Sequence, residues 1–361
     1  MRRFQVKSRH HDYEVVVGCG AWKEFRRFPH TSYSSIFVLT ERPLWKRWRA
    51  NFLKMSGLAS AKEVFIPSGE SSKSLGMVER VAGALLSLGA DRRSLVIAFG
   101  GGVVGDLSGF VASTYMRGID YVQVPTTVVA QVDSSIGGKT AVNIGAMKNL
   151  VGTFYPPRLV LADPQVLGTV PVRIFRSGFY EVVKHAILSG TSLFALLEKE
   201  VGNLQPAGSG SLDPILARAA KVKVDVVNRD EREAGLRRVL NLGHTFGHAL
   251  EEATGYSRLL HGEAVGWGLL CAARLGELLG MLDAREAERI AALVLNVSPL
   301  PSIRDLVPAK ILRLLPRDKK TIGGQIHWVV PERIGKVRIV RDVPIDVVAA
   351  AFQSVIKAGG S

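Results

Sequence analysis

Three of the chain's eight histidines fall between Asn241 and His261, in the run NLGHTFGHALEEATGYSRLLH. His244 and His248 are four apart, so on a helix both rings project from one face. His261 follows after a turn signalled by Gly255 and Ser257. Neutral imidazoles suit a borderline ion such as zinc, and a carboxylate would complete three protein ligands while leaving a position for substrate. Upstream, in SGFYEVVKHAIL, Glu181 shares a helical face with Lys184 and His185. Charges set among Val182, Val183, Ile187 and Leu188 are costly to bury without partners, so they either face solvent or serve a site. A single helical histidine is more often a hydrogen-bonded core or surface residue. The argument for a metal rests on clustering, and spacing leaves open which histidines bind it. Arg237 lies four residues before Asn241 and seven before His244, so on one continuing helix all three would sit near one face.

A second kind of chemistry is written into GGGVVGD, where Gly100, Gly101 and Gly102 precede Gly105 and Asp106. Backbone N–H groups in such a turn can approach an anion closely, and the helix that follows favours negative charge at its N-terminus. The pattern reads as a dinucleotide pyrophosphate site rather than an empty strand-to-helix turn. It is not the G-x-G-x-x-G fingerprint of ordinary dehydrogenases. Next comes VPTTVVAQVDSSIGGKTAVNIGAMKNLVGTFYPP, which carries Thr126, Thr127, Asp133, Lys139, Asn143, Lys148 and Asn149. Polar residues at this density among glycines and serines read as a loop lining a site, and its lysines suit phosphate or carboxylate groups.

These candidates need a scaffold, and 361 residues at 47% hydrophobic content are enough for two domains. The first half alternates strand candidates at 34–40, 63–68, 94–100, 120–125 and 158–163 with helix candidates near 43–55, 72–89 and 104–117. That is an α/β domain with a mainly parallel, Rossmann-like sheet, which binds ligands beyond the carboxyl ends of its strands. From about 173 helices dominate, at 173–189, 191–201, 212–229, 241–255, 261–281 and 283–296. A small hairpin at 324–340 and a helix near 344–357 close the chain. The expected division is 1–168, an α/β domain, and 169–361, a mainly α-helical domain. Cys19 and Cys271 lie far apart and outside any C-x-x-C pattern, so neither a disulfide framework nor a cysteine knuckle is suggested. No apolar run approaches the roughly 20 residues that span a bilayer, and the start lacks a signal-peptide core, so the expectation is a cytoplasmic protein that does not engage membrane. The formal charge of +15 raises a nucleic-acid reading, but pairs such as Arg26-Arg27, Arg92-Arg93 and Arg237-Arg238 are scattered. Their better use is an anionic small substrate, without nucleic acid.

In this order, GGGVVGD, MRGIDYVQVPTTVVAQVDSSIGGKTAVN, SGFYEVVKHAIL, DEREAGLRRVLNLGHTFGHALE and HGEAVGWG closely resemble the signatures of the 3-dehydroquinate synthase family. The likeness covers nearly the whole chain. It implies a carbon-oxygen lyase of the shikimate pathway acting on 3-deoxy-D-arabino-heptulosonate 7-phosphate. The implied reaction is transient oxidation by NAD, phosphate elimination, reduction and intramolecular aldol closure. It also implies Zn²⁺, or Co²⁺ in its place, held by Glu181, His244 and His261, and a homodimer. His248 then matches a substrate contact, and His185 stands where the family commonly has Tyr.

For NAD the resemblance points to Ser68, Gly69, Glu70, Ser71, Ser72 and Lys73, then Gly102, Val103, Val104, Gly105 and Asp106. It adds Thr126, Thr127, Lys139 and Lys148, and the stretch Val166, Leu167, Gly168 and Thr169. Glu41 stands where the family often has Asp for the adenosine ribose. The implied substrate residues are Asp133, Lys139, Asn149, Lys184, Lys223, Arg237, Asn241 and His248. Lys319 or Lys320 joins them, and Arg117 reaches the phosphate bound by a neighbouring subunit. Two relatives compete. Metal-dependent polyol dehydrogenases share the logic of a glycine turn and a divalent ion, but not DEREAGLRR or VDSSIGGKT. Other sugar-phosphate cyclases, such as 2-deoxy-scyllo-inosose synthase, are closer, and Arg237 with Asn241 and His248 argues against them.

Overall fold

The computed structural model describes residues 1–145, 147–206, 212–315 and 325–358. The chain begins β1 (Arg2–Val6), β2 (Tyr13–Val17), β3 (Ile36–Thr40), α1 (Arg42–Ser56), β4 (Lys62–Phe65), α2 (Leu75–Ser87), β5 (Leu95–Gly100) and α3 (Gly102–Thr114). There follow β6 (Asp120–Pro125), β7 (Lys139–Ile144), β8 (Met147–Phe154), β9 (Leu159–Ala162), α4 (Val172–Ser189), α5 (Thr191–Glu200) and α6 (Leu212–Arg229). It continues with α7 (His244–Ala253), α8 (His261–Leu278), α9 (Ala284–Val297), α10 (Pro308–Leu312), β10 (Trp328–Arg333), β11 (Lys336–Val340) and α11 (Ile345–Ala358). Two compact units result: Met1–Val170 with Pro206–Arg232, and Pro171–Gln205 with Glu233–Ser361. Among the described residues no helix is long and apolar enough to cross a membrane.

The first unit is built on a seven-stranded sheet in the order β1-β2-β9-β6-β5-β3-β4. Only β1 and β2 pair antiparallel. All six residues of β5 are buried, as expected for a parallel strand covered on both faces. The chain reverses its direction of travel across the sheet between β3 and β5, so the turns after these two strands lie at the switch point where such sheets take ligands. Those turns carry Glu41 and the glycine run. Helix α1 is fixed there by Trp45 and Phe52, two turns apart on one face. Their rings meet Phe99 of β5 at 5.3 and 5.2 Å between centroids in edge-on geometry, each pair contributing about 1 kcal/mol beyond its burial.

The five expected strands are present as β3, β4, β5, β6 and β9. The stretch expected as a polar lining loop instead forms the β7–β8 hairpin, paired from Lys139 opposite Phe154 to Ile144 opposite Met147. Thr140 and Val142 alternate inward, and β7 packs on α3. Helix α6 departs from the expected division, since it belongs to the first unit although it lies beyond residue 169. The amphipathic pattern of α6 could serve either unit; polar contacts to β1 and to the segments that follow β1 and β2 decide. Asn228 accepts from the Lys7 N–H at 2.8 Å and donates to the Gln5 carbonyl at 3.0 Å, while Asp213 accepts from the Cys19 N–H at 2.8 Å.

The second unit is organised around α8, which packs against α4, α7, α9, α11 and β10. Fourteen of its eighteen residues are buried, so it is apolar nearly all round, as a core helix must be. Glycines make this crowding feasible. A Cβ at Gly262 would sit 1.8 Å from the Ser177 carbonyl oxygen of α4, and one at Gly268 would sit 1.8 Å from the Gly243 carbonyl oxygen at the start of α7.

Candidate metal and anion sites

The two glycine contacts of α8 set the candidate metal ligands in place. Gly262 locks the first turn of α8, which begins with His261, against Ser177, one helical turn before Glu181 on α4. Glu263 reinforces the same turn: its carboxylate accepts the Leu260 N–H at 2.8 Å and pairs with Arg173 of α4 at 2.7 Å. Gly268 holds the Gly243 backbone, at φ 78°, immediately before His244. As a result Glu181 Oε1 lies 3.3 Å from His244 Nε2 and 3.2 Å from His261 Nε2. The three residues offer ligand atoms all within 4.8 Å of one another.

Each of the three side chains has a partner for its other polar atom. The second Glu181 oxygen pairs with Lys184 Nζ at 2.5 Å, His244 Nδ1 faces the Leu242 carbonyl at 3.2 Å, and His261 Nδ1 faces Glu251 Oε2 at 3.2 Å. Burial would raise the Glu181 carboxyl, but Lys184 and His244 outweigh it and hold the group well below the usual carboxylate range. Partial burial would lower the His261 imidazole, and its hydrogen bonds to Glu181 and Glu251 reverse this, pushing it up to about 9. Two imidazole nitrogens and an ionised carboxylate, each oriented from behind, form a donor set that fits zinc.

His248 projects from the same helix as His244, with ring centroids 5.5 Å apart. Its ligand atom groups with those of Glu251 and His261 rather than with Glu181. Arg237 and Asn241 do not lie on a continuous helix with His244. They occupy a short 3-10 helix, Leu236–Asn241, and the left-handed Gly243 starts a new axis at His244. Arg237 is nonetheless buried, at 2% exposure, and Asn241 donates to Glu233 Oε1 at 3.0 Å. Glu233 and Glu251 were both missed from sequence. Glu251 could have been found, because it falls seven residues after His244 on the stripe that carries both α7 histidines. Lys319 and its neighbour Lys320 lie outside the described residues.

In the first unit Glu41 and Gly102 lie at the turns of the switch point, and Ser68 in the turn after β4. Ser68 donates to Glu41 Oε2 at 2.7 Å, joining the turns after β3 and β4. Lys73 is buried and pairs with Asp106 on α3 at 2.5 Å; its Nζ also donates to Asn149 of the hairpin. Burial pushes the Asp106 carboxyl up, against the pull of Lys73. Asn149, at φ 53°, has its N–H on Asn143, whose amide donates to Glu70 at 2.8 Å. One hydrogen-bonded chain thus ties Glu70, Asn143, Asn149, Lys73 and Asp106 together. Gly102 opens α3, with Gly101 packed so closely on Thr127 that a Cβ would meet its methyl at 3.1 Å. The Thr126 N–H caps the Gly100 carbonyl at 3.0 Å.

The remaining assignments are uneven. Gly69, at φ 102°, and exposed Ser71 flank the turn, whereas Ser72 turns inward to the Pro67 carbonyl. Val103 is half-buried; Val104 and Gly105 are buried, Val104 against Gly100. Val166 and Leu167 are fully buried in a 3-10 turn; Thr169 accepts from Trp48 Nε1 at 2.9 Å, and Gly168 precedes it. Lys139 is exposed and Lys148 half-buried. Asp133, in a π turn, is ion-paired with Lys223 of α6, so an anion reaching Lys223 must share it. Arg117 is exposed, with φ 70°.

Comparison with known proteins agrees along the chain. Residues 63–177 match the family model for the 3-dehydroquinate synthase N-terminal domain, and residues 178–321 match its C-terminal counterpart. The 3-dehydroquinate synthase of Koribacter versatilis is 42% identical over 98% of both chains. That of Solibacter usitatus is 39% identical over 99% of this chain and all of its own. Among solved structures, 2-epi-5-epi-valiolone synthase from Streptomyces hygroscopicus, with NAD⁺ and Zn²⁺ bound, superposes with a TM-score of 0.87 at 28% identity, covering 99% of this chain and 100% of that one. Paired family models and relatives alike from end to end place this chain in the 3-dehydroquinate synthase family.

Proposed function

We propose that the chain converts 3-deoxy-D-arabino-heptulosonate 7-phosphate into 3-dehydroquinate and inorganic phosphate, as a carbon-oxygen lyase using NAD and zinc, or cobalt in its place. The observation that carries this reading is full-length likeness to 3-dehydroquinate synthases in a chain whose Glu181, His244 and His261 converge within 4.8 Å. When bound, NAD supplies a reversible hydride acceptor and zinc a Lewis acid.

The chain's own residues bind, orient and move protons. The N-terminus of α3, with Gly102 to Asp106, offers backbone N–H groups to a pyrophosphate, and Glu41 a carboxylate to a ribose. Glu181, His244 and His261 hold the ion. Arg237 takes the substrate carboxylate through a bidentate pair, while Lys139, Asn149, Lys184 and Lys223 receive the remaining charged and hydroxyl groups. His248 and Asn241 relay protons. The division of labour is residues 1–168 for NAD, with Lys139 and Asn149 also serving the substrate, and residues 169–361 for the metal and the other substrate contacts. The active form is a cytoplasmic homodimer in which the exposed Arg117 serves the neighbouring subunit's substrate.

Likeness to 2-epi-5-epi-valiolone synthase keeps a second reading, a cyclase of another sugar phosphate, in view. Steady-state turnover decides between them. The expected result is phosphate release from heptulosonate 7-phosphate with formation of 3-dehydroquinate and no accumulation of NADH. Equal turnover of a carboxylate-free sugar phosphate would overturn the assignment, and stoichiometric NADH would indicate a dehydrogenase.

A further inference from the structure

His261 is flanked by carboxylates on both ring nitrogens, Glu181 Oε1 at 3.2 Å from Nε2 and Glu251 Oε2 at 3.2 Å from Nδ1. An imidazole that binds an ion through Nε2 must keep its proton on Nδ1, the atom facing Glu251. We propose that Glu251 is the positioning residue for His261: its carboxylate accepts the Nδ1–H, fixes the tautomer and ring plane, and thereby sets the affinity of the site for its ion. The need is greatest at this ligand. The His261 side chain is 40% exposed, against 11% for His244 and 2% for Glu181, so packing restrains its ring least. Glu251, at 4% exposure and anchored in α7, is rigid enough to do so.

The inference rests on the metal reading above. It also competes with another use of the same atoms, because His248, Glu251 and His261 offer ligand atoms within 4.8 Å and would form a second ion site. That arrangement requires His261 to give up its last ring proton and bridge two ions, whereas the positioning role leaves the neutral imidazole intact.

The test is metal binding by the full chain, stripped with chelator and titrated with Co²⁺ against a competing chelator, with the visible cobalt bands and the ion count per chain as readouts. Wild type is expected to take up one ion. Glu251→Ala should weaken binding about 10- to 100-fold and displace the cobalt bands. Glu251→Gln, isosteric and still offering an acceptor oxygen, should fall between the two. Affinity per folded chain within twofold of wild type in both variants, with only a lower melting temperature of the metal-free protein, would overturn the proposal and leave Glu251 a packing residue. Two ions in wild type and one tightly held ion in Glu251→Ala would overturn it in favour of a second site. A wild type that takes up no ion removes the metal reading and this proposal together, a result visible before any variant is made.

Discussion

Gly262 and Ser177 approach so closely that a Cβ at position 262 would lie 1.8 Å from the Ser177 carbonyl oxygen. Two ligand-bearing helices, α4 and α8, meet at this contact. Gly262→Ala must push them apart, at a cost of about 1–3 kcal/mol for overpacking. The expected outcome is a lower melting temperature and, in the fraction that folds, reduced zinc content measured by elemental analysis. Full zinc occupancy at wild-type stability would show that the helices have slack.

Replacement of His261 by Ala should remove the ion and abolish turnover. His248→Ala should retain the ion and slow turnover, because its ring lies outside the group formed with Glu181. Metal content and phosphate release measured on both variants check the pair, and reversed phenotypes would refute the ligand assignment. Chelator-treated wild type should lose activity and regain it with Zn²⁺ or Co²⁺.

Arg237→Lys should lower kcat/KM by at least about tenfold, roughly 1.4 kcal/mol of transition-state binding, with metal content unchanged. A planar guanidinium makes two parallel bonds to a carboxylate that an ammonium cannot copy. Since Arg237 is only 2% exposed, a melting curve must accompany the kinetics. An unchanged kcat/KM would sink the carboxylate-binding role.

Asp163 supplies the pH test. It is fully buried, accepts the Gly20 and Gln165 N–H groups at 2.9 and 3.1 Å, and burial pushes its carboxyl up to about 6 from an ordinary 3.8. A raised carboxyl favours the folded state most below its unfolded value, and that contribution is lost as pH rises through about 6. Asp163→Asn removes the titration. The variant should therefore gain on wild type by roughly 1 kcal/mol between pH 5 and 7.5 in urea unfolding, whatever its absolute stability. A difference independent of pH would contradict the shift.

Much of this was legible in the sequence, for identifiable reasons. Strands β3, β5, β6 and β9 announce themselves as apolar runs ending in glycine, proline or acidic residues, and the histidines of α7 by their spacing. What escaped depends on partners distant in sequence. The β7–β8 hairpin is rich in glycine and polar residues, and only α3 beneath it shows why Thr140 and Val142 turn inward. Helix α6 is assigned by Asn228 reaching back to Lys7, a contact no local pattern encodes. The break between Asn241 and His244 depends on Gly243 pressed against Leu269, again across a long separation.

The glycines of α8 also restrict how this protein can be made hardier. Exchanging helical glycine for alanine ordinarily gains about 1 kcal/mol. At Gly262, Gly266, Gly268 and Gly276 that route is closed, since an added methyl would lie within 3 Å of a neighbouring atom. On α2, by contrast, Gly83 has nothing within 4 Å of its missing Cβ. Thermostabilising libraries should therefore spare the helix that begins at His261 and spend their alanines on the other unit.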